Sequence, residues 1–269
     1  MTKSSSNNYS DGVSRSNDTT TKLLLFDVVV DPLQIGGLVG FILLIVSFQI
    51  MIAKAKSGGG TTAVSDASKR RFQHALTGHA LVQISYILPY TFCIVALSIG
   101  IIGFLVARNY FPIWFYTTFG SLLRPEELSG KVLPGAVYFL VGTTLSAILT
   151  GEDKLYIARY AVECLAIADP IASYIGATIS SPQLCKGSSL SGCIACFLTS
   201  FCVGFIMLGY TNSDGNTTGG EASSSSSTSW FVLVLGALAC TISEAIPFGN
   251  DNLNIPIATT LTVLLATGR

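Results

Sequence analysis

Long apolar runs separated by short polar loops dominate this sequence from residue 33 onward. A transmembrane helix needs about 20 mostly apolar residues, and several of the runs approach that length. Only 11% of the residues are charged, whereas a soluble domain carries about 25%. Mean hydropathy is +0.60. The sequence therefore predicts an all-α, polytopic integral membrane bundle with about seven to nine transmembrane helices. The predicted spans are Leu33–Ala53, His74–Pro89, Tyr90–Ala107, Val132–Thr150, Leu155–Ile179, Leu190–Tyr210, Trp230–Phe248 and Ile255–Ala266.

Two polar segments frame the predicted domain organisation. Residues 1–30 begin with a stretch rich in Ser, Asn and Thr, which predicts a disordered N-terminal tail. The tail mixes Asp with Lys and Arg and has no apolar core at its start, so it resembles neither a secretory signal nor a strong transit peptide. Residues 31–269 are predicted to form a single transmembrane domain, in which residues 211–229 are a low-complexity loop. The run 111–123 is an additional candidate for a re-entrant segment.

The distribution of positive charge predicts an orientation in the membrane. With eight spans, the loops on one side carry nine Lys or Arg residues and those on the other side carry five. Cytoplasmic loops are enriched in Lys and Arg, so the first side is predicted to face the cytosol. Arg159 is the remaining cation and lies inside a predicted span, one helical turn before Glu163, with which it is expected to pair.

An acidic residue lies inside one of these apolar runs. Asp169, followed at once by Pro170, interrupts the run from Tyr156 to Ile179. Insertion scales give a carboxylate at the bilayer centre a cost of roughly 2.5–3.5 kcal/mol, so such residues usually face a bundle interior or a wet cavity. The proline also removes a backbone hydrogen bond from the helix. We therefore expect Asp169 to take part in chemistry at membrane depth.

A basic cluster marks the cytoplasmic entrance of the second predicted span. Arg70, Arg71 and His74 follow one another within two helical turns. Guanidinium groups match phosphate oxygens in geometry and charge, and His74 is one turn from Arg70 on the same face. The cluster is a candidate phosphate clamp. Anchoring of the helix to anionic lipid headgroups is the alternative explanation.

Two further loops on the same side carry candidate phosphate ligands. Arg124 precedes Glu127 in the first loop, and these residues offer a guanidinium for phosphate and a carboxylate for metal. The second loop contains Lys186, Ser188 and Ser189 at the start of a predicted helix. Small residues at a helix N-terminus expose backbone N–H groups that suit an anion, although a flexible linker has the same composition.

Oxygen ligands gather in the last cytoplasmic loop. Glu244 lies inside a predicted span, and Asp251 and Asn252 lie at its mouth. An Asx-rich turn between helices explains these residues structurally, whereas hard cations such as Mg²⁺ prefer oxygen ligands of this kind. The four clusters together supply cations for phosphates and acids for a divalent ion at one membrane face. That combination is typical of phosphoryl transfer.

These clusters resemble the motifs of the CTP-dependent lipid kinases, a family that includes the dolichol, phytol and diacylglycerol kinases. The matching segments occur in the family's order between residues 70 and 257. Ala168 stands where the family usually has glycine before the aspartate, and Ser188 replaces a lysine, with Lys186 two positions earlier. The segments are RRFQHALTG at 70–78, LRPEELSGKVLPGAVYFLVG at 123–142, ADPIASYIG at 168–176, SSLSGCIACF at 188–197 and EAIPFGNDNLNIPI at 244–257.

The resemblance implies transfer of the γ-phosphate of CTP to a lipid hydroxyl, with Mg²⁺ as cofactor. Diacylglycerol is the expected acceptor because the chain is short and lacks a plastid signal, and phytol and dolichol (polyprenol) are the alternatives. The expected location is the endoplasmic reticulum or nuclear envelope membrane with the site facing the cytosol, or else a plastid membrane. Catalytic roles are expected for Asp169 and His74, nucleotide binding for Arg70, Arg71, Arg124, Lys186, Ser188 and Ser189, and metal binding for Asp169, Asp251, Asn252, Glu127 and Glu244.

Two other classes of protein share part of these features. A cytidylyltransferase would use the same nucleotide and release pyrophosphate instead of CDP. An ion- or proton-coupled transporter would use intramembrane acids such as Asp169, Glu163 and Glu244 as a cation path. A transporter of this kind often shows internal repeats, which the sequence lacks. Zero net charge gives no indication of a nucleic-acid partner.

Overall fold

The computed structural model describes residues 66–185, 187–209, 230–246 and 249–268, two short strands and five isolated positions before residue 52. The predicted span Leu33–Ala53 and the loop 211–229 therefore lie outside the described residues, apart from those isolated positions. Within the segment predicted as a disordered tail, β1 (Leu23–Leu25) pairs antiparallel with β2 (Val28–Val30). Both strands consist of aliphatic residues, and the valines in particular favour a β-strand.

The described part of the chain is mostly helical, as predicted. A 3₁₀ turn lies at Gly120–Leu122, a π-helical turn lies at Cys164–Ala168, and β3 (Gln183–Cys185) pairs antiparallel with β4 (Ser188–Ser189). The helices are α1 (Asp66–Ile87), α2 (Tyr90–Tyr110), α3 (Pro112–Phe119), α4 (Pro125–Leu128), α5 (Gly135–Thr150), α6 (Leu155–Glu163), α7 (Asp169–Thr178), α8 (Leu190–Gly209), α9 (Trp230–Ala245) and α10 (Asp251–Ala266).

Two of the described helices, α2 and α8, are long and apolar enough to cross a bilayer. Helices α5 and α9 are also apolar but have 16 residues each. A helix of that length extends about 24 Å, which is less than the roughly 30 Å hydrocarbon core. The predicted helical regions are thus present in the described part, with α1 and α10 beginning earlier than expected, whereas the predicted number of spans stays a prediction.

The segment from Leu155 to Ala168 forms the centre of the fold. It contains the fully buried side chains of Ile157, Tyr160 and Leu165. Helices α1, α5, α8 and α10 pack around it. The apolar run that predicts the span Leu155–Ile179 therefore begins as a helix enclosed by other helices, and such a helix is apolar on all sides.

The π-helical turn lies directly before Asp169 and Pro170. A proline lacks the N–H that would bond the carbonyl four residues earlier, and its ring clashes with that carbonyl in a regular α-helix. The wider turn at Cys164–Ala168 contains Ala166, the residue four before Pro170, and the chain continues directly from it into α7. Turns of this type frequently occur at functional sites.

Close contacts at two glycines allow neighbouring helices to reach this centre. A Cβ atom on Gly78 of α1 would lie 2.5 Å from the Cβ of Ala166 in the π turn. A Cβ atom on Gly142 of α5 would lie 2.7 Å from the backbone oxygen of Asn252 and 2.8 Å from Cγ of Pro256 in α10. Small residues are typical where helix backbones approach closely.

We predict that Gly142→Ala destabilises the fold, because the added methyl group meets backbone and a rigid proline ring. Overpacking of this kind typically costs about 1–3 kcal/mol. The melting temperature of the purified protein in detergent is the measurement. Gly103→Ala in α2 is the matched control, since a Cβ there has no atom within 4 Å. Equal melting temperatures for the two variants would contradict the packing described here.

Candidate active site

A cavity of about 240 Å³ opens at the end of the bundle where α1 begins. Its walls come from α1, α2, α5, α7 and the segment from Phe119 at the end of α3 to Glu127 in α4, with one residue from α10. Residues that are up to 185 positions apart in the sequence therefore meet in one space. Seven predicted site residues line it: Arg70, Arg71, His74, Arg124, Glu127, Asp169 and Asn252.

Three guanidinium groups form the basic wall of the cavity. Arg70 and Arg71 come from the first turns of α1, and Arg124 comes from the loop before α4. The Nε of Arg71 donates a hydrogen bond to Oγ of Ser173 in α7, with a distance of 3.0 Å. That bond fixes the Arg71 side chain beside Asp169, one helical turn before Ser173. The wall is suited to bind several phosphate oxygens at once.

The acid and the histidine face each other across the same cavity. Nε2 of His74 lies 3.9 Å from Oδ2 of Asp169, and both side chains are largely buried, with 19% and 25% exposure. This distance exceeds that of a hydrogen bond, and Nε2 has no hydrogen-bond partner in the described structure. The His74 ring packs edge-on against Phe139, with 5.0 Å between ring centroids. The pair thus includes a buried polar atom that the described residues leave without a partner.

Glu127 has a structural role that its sequence position did not reveal. Its Oε2 accepts a hydrogen bond from the backbone N–H of Arg124, and its Oε1 accepts one from the N–H of Gly135, each at 2.9 Å. The side chain is only 4% exposed. Glu127 was predicted as a metal ligand, whereas in the structure its two oxygens hold the α4 loop against the start of α5.

Asn252 is fixed at the first turn of α10. Its Nδ2 donates to the backbone oxygen of Gly135 at 3.0 Å, and its own N–H is capped by Oδ1 of Asn250 at 3.1 Å. A Cβ atom on Gly135 would lie 2.9 Å from Nδ2 of Asn252, so glycine permits this close approach. Asn252, like Glu127, lines the cavity and holds Gly135, the first residue of α5, by a hydrogen bond.

Two other predicted acids lie near the cavity but do not line it. The Asp251 carboxylate is within electrostatic range of Asp169 and Arg124, and Glu244 is within range of both Asp169 and Asp251. Burial raises the pKa of Asp251 to about 6, and the Asp169 carboxylate adds to that rise, while the Arg124 guanidinium opposes it. Glu244 keeps a buried Oε2 without a hydrogen-bond partner in the described structure.

The predicted anion site at the start of α8 is occupied by the protein itself. The N–H groups of Leu190, Ser191 and Gly192 donate to the Pro182 oxygen, Oγ of Ser181 and Oγ of Ser189, at 2.9, 3.0 and 3.2 Å. Ser189 is therefore the N-cap of α8. These backbone groups do not form the anion cradle that the small residues predicted.

The neighbouring serine also contacts protein rather than the cavity. Oγ of Ser188 donates to the backbone oxygen of Glu244 at 3.3 Å, which links the β4 strand to the end of α9. Lys186, the predicted replacement for the family's lysine, lies outside the described residues. Ser188 and Ser189 thus connect secondary-structure elements near the cavity.

The acids offer a limited site for a divalent ion. Among the described residues, no group of three or more His, Cys, Asp or Glu side chains forms a metal site. Mg²⁺, however, commonly binds one or two protein carboxylates and takes its other ligands from substrate phosphates and water. Asp169 and the nearby Asp251 fit that smaller role, and Glu127 does not, because its oxygens already accept two backbone N–H groups.

The predicted ion pair between Arg159 and Glu163 is not formed. Nε of Arg159 instead donates to Oγ of Ser85 at 2.8 Å, and its guanidinium lies 4.0 Å from the centroid of the Tyr86 ring. Oε1 of Glu163 lies 2.6 Å from Nδ1 of His79. Both side chains find partners on α1, which packs directly against α6. Arg159 also lines a second cavity, of about 250 Å³, at the far end of α1.

Sequence reasoning missed Ser173 and the apolar side of the cavity. Ser173 lies one turn after Asp169 in α7, so helical spacing from the acid was a signal that could have identified it. Phe104 and Phe119 also line the cavity, but their sequence neighbourhoods are uniformly apolar. Only the tertiary arrangement shows which of many phenylalanines face the site.

Comparison with known proteins returns no relative: no protein-family model, curated protein or solved structure matches this chain. The function must therefore be inferred from the cavity and from the motifs that meet in it.

We predict that Glu127→Gln lowers the melting temperature, because the amide cannot accept both backbone N–H groups. One buried donor left without an acceptor typically costs about 1–3 kcal/mol. Glu126→Gln is the matched control, since Glu126 is adjacent in the sequence and exposed. Thermal unfolding of both variants in detergent is the measurement. If Glu127→Gln kept the melting temperature of the wild type but no longer bound Mg²⁺, a metal-binding role would instead be favoured.

Proposed function

We propose that the protein is a membrane-embedded lipid kinase that transfers the γ-phosphate of CTP to a lipid hydroxyl. Diacylglycerol is the proposed acceptor and phosphatidate the product. The observation that carries this proposal is that Arg70, Arg71 and Arg124 share one cavity with the pair His74 and Asp169. The choice of CTP rests on the resemblance of the sequence motifs to the CTP-dependent lipid kinases.

The outer surface supports a membrane setting. Large apolar side chains are exposed on several helices, including Ile102 (61%), Phe205 (65%), Trp230 (71%) and Leu265 (75%). Soluble monomers rarely expose apolar patches larger than a few hundred Å². The proposed setting is a polytopic bundle in the endoplasmic reticulum or nuclear envelope membrane, with the cavity facing the cytosol. A plastid membrane is the alternative location.

The cavity offers a distinct task to each of its polar residues. The three arginines bind the nucleotide phosphates and neutralise the charge that develops on them during transfer. Asp169 accepts the proton of the lipid hydroxyl. The hydroxyl oxygen bonds to the γ-phosphorus of CTP while the bond between that phosphorus and the departing CDP oxygen breaks. His74 lies 3.9 Å from that carboxylate and orients the approaching phosphate or hydroxyl. Ser173 positions Arg71 through its hydrogen bond.

Mg²⁺ is proposed to bind with the nucleotide, held on the protein side by Asp169 with help from Asp251. When bound, the ion neutralises phosphate charge and orients the transferred group. The unpartnered Nε2 of His74 shows that the cavity keeps polar atoms that the protein does not satisfy. The arginines cannot bind a cation, so the protein ligands of Mg²⁺ must be these carboxylates.

The decisive experiment follows radioactive phosphate. Purified protein in nanodiscs is incubated with γ-labelled CTP, Mg²⁺ and, in separate samples, diacylglycerol, phytol or dolichol. Label in diacylglycerol with release of CDP is the expected result, and label in another lipid would identify a different acceptor. Pyrophosphate release with α-label in the lipid would indicate a cytidylyltransferase. No label in any lipid from folded protein would overturn the kinase proposal and favour a transporter.

We predict that Asp169→Asn lowers kcat by at least about 100-fold, which is typical for loss of a general base. The substitution keeps the size of the side chain, so the melting temperature should stay close to that of the wild type. Asp153→Asn is the control, because that acid lies at the second cavity. Turnover within a few-fold of the wild type in Asp169→Asn would show that this acid has a structural role.

We predict that Arg71→Ala raises the KM for CTP by about 10-fold or more, because hydrogen bonds to charged groups contribute about 1.5–3 kcal/mol. Ser173→Ala should raise it less, since the guanidinium remains but is no longer fixed. Lys131→Ala removes an exposed cation that does not line the cavity and serves as control. Equal CTP dependence in all three variants would favour the headgroup-anchor explanation of the basic cluster.

A further inference from the structure

The cavity that contains the arginines also has an apolar wall. Phe104 of α2, Phe119 of α3 and Leu122 of the 3₁₀ turn line it together with Asp169 and Arg71. One small space therefore offers both guanidinium and carboxylate groups and aromatic rings. A molecule that satisfies both walls is amphiphilic, with a polar head and a hydrocarbon chain.

The apolar wall lies where two consecutive helices separate. Helix α1 packs on α6, α7 and the π turn between them, whereas α2 packs on α5 and α3. The two helices are joined at Leu88 and Pro89 and pack on different neighbours. The 3₁₀ turn contacts α1 and the α3 helix contacts α2, so the segment 112–122 lies across the gap between them.

Aromatic contacts hold this segment in place. The ring centroid of Phe104 lies 5.2 Å from that of Phe115 and 5.7 Å from that of Phe119. Phe115 is fully buried and acts as the anchor of the cluster. Phe104 and Phe119 are only partly buried and have faces towards the cavity. A side chain at either position can therefore contact a bound molecule without being part of the core.

The other face of the segment points away from the protein. Phe111, Ile113 and Trp114 are 60%, 85% and 54% exposed. Helix α2 has no buried residue along its whole length, and its exposed Ile102 and Val106 extend the apolar surface. The segment 112–122 thus contributes residues to the cavity and, through other residues, to a surface that is compatible with lipid chains.

We propose that the acceptor lipid enters the cavity from the side, between α1 and α2 across the segment 112–122, and that Phe104 and Phe119 contact its chains and determine which acceptors fit. This inference rests on the proposed function. The cavity volume of about 240 Å³ lies below the roughly 300–1,000 Å³ of sites that enclose a small molecule. The cavity accommodates the reacting groups, and the chains extend through the lateral gap.

Two variants and a crosslinking measurement test this inference. Phe104→Ala and Phe119→Ala are expected to raise the KM for diacylglycerol, as mole fraction in nanodiscs, by about fivefold or more, with the KM for CTP within about twofold of the wild type. Phe104→Leu should restore most of the lipid affinity. Phe205→Ala, in an exposed part of α8, is the matched control and should change neither constant.

The crosslinking measurement does not depend on activity. A diacylglycerol analogue with a diazirine in one chain is expected to label peptides that contain Phe104 or Phe119 in the wild-type protein, as read by mass spectrometry. Labelling confined to other peptides, or unchanged lipid KM in both alanine variants, would overturn the lateral route while kinase activity persists. Absence of phosphate transfer by the wild type would instead overturn the proposed function itself.

Discussion

A widened helical turn in the buried centre of the described bundle determines where the central helix meets its neighbours. The π turn at Cys164–Ala168 joins α6 to α7 and lets the chain pass Pro170 without ending the helix. It thereby presents Asp169 to a cavity instead of to the packed core. Gly78 allows α1 to lie directly on Ala166 of this turn, which brings His74 to the same space. The same contact brings Arg71 of α1 to the cavity, where it and Arg124 lie near the acid.

The cavity combines groups that fix its shape with groups that are left available. Glu127 and Asn252 connect the α4 loop, the start of α5 and the start of α10 by hydrogen bonds to backbone atoms. Arg108 adds a further link, since it donates to the oxygens of Gly130 and Val132 at 3.0 Å each. By contrast, His74 and Asp169 remain without a mutual hydrogen bond. A rigid frame around unsatisfied polar atoms is the arrangement expected of a preorganised site.

Much of this could be predicted from the sequence. The apolar runs of the sequence correspond to the helical regions. The clustering predicted at a single membrane face agrees with the cavity, which is lined by Arg70, Arg71, His74, Arg124 and Asp169. The contacts that the sequence did not predict depend on distances across the fold. Glu127 meets a backbone N–H eight residues later, and the Ser181 hydroxyl and the Pro182 oxygen satisfy the N–H groups of Ser191 and Leu190. Arg159 donates to Ser85 and not to the acid one turn away, because α1 packs directly against α6, a contact that spacing within α6 cannot predict.

Three polar contacts follow one another along α1 and the central helix. His74 faces Asp169, His79 contacts Glu163, and Ser85 accepts a hydrogen bond from Arg159. These pairs are five and six residues apart on α1 and six and four residues apart on the segment from Asp169 back to Arg159, so together they fix the position of α1 along its axis. Sliding α1 by a single turn, about 5.4 Å, would separate all three at once and leave buried polar groups unmatched. Helix α1 is thus held in one longitudinal register, and any change in the width of the cavity falls to the segments that face it from the other side.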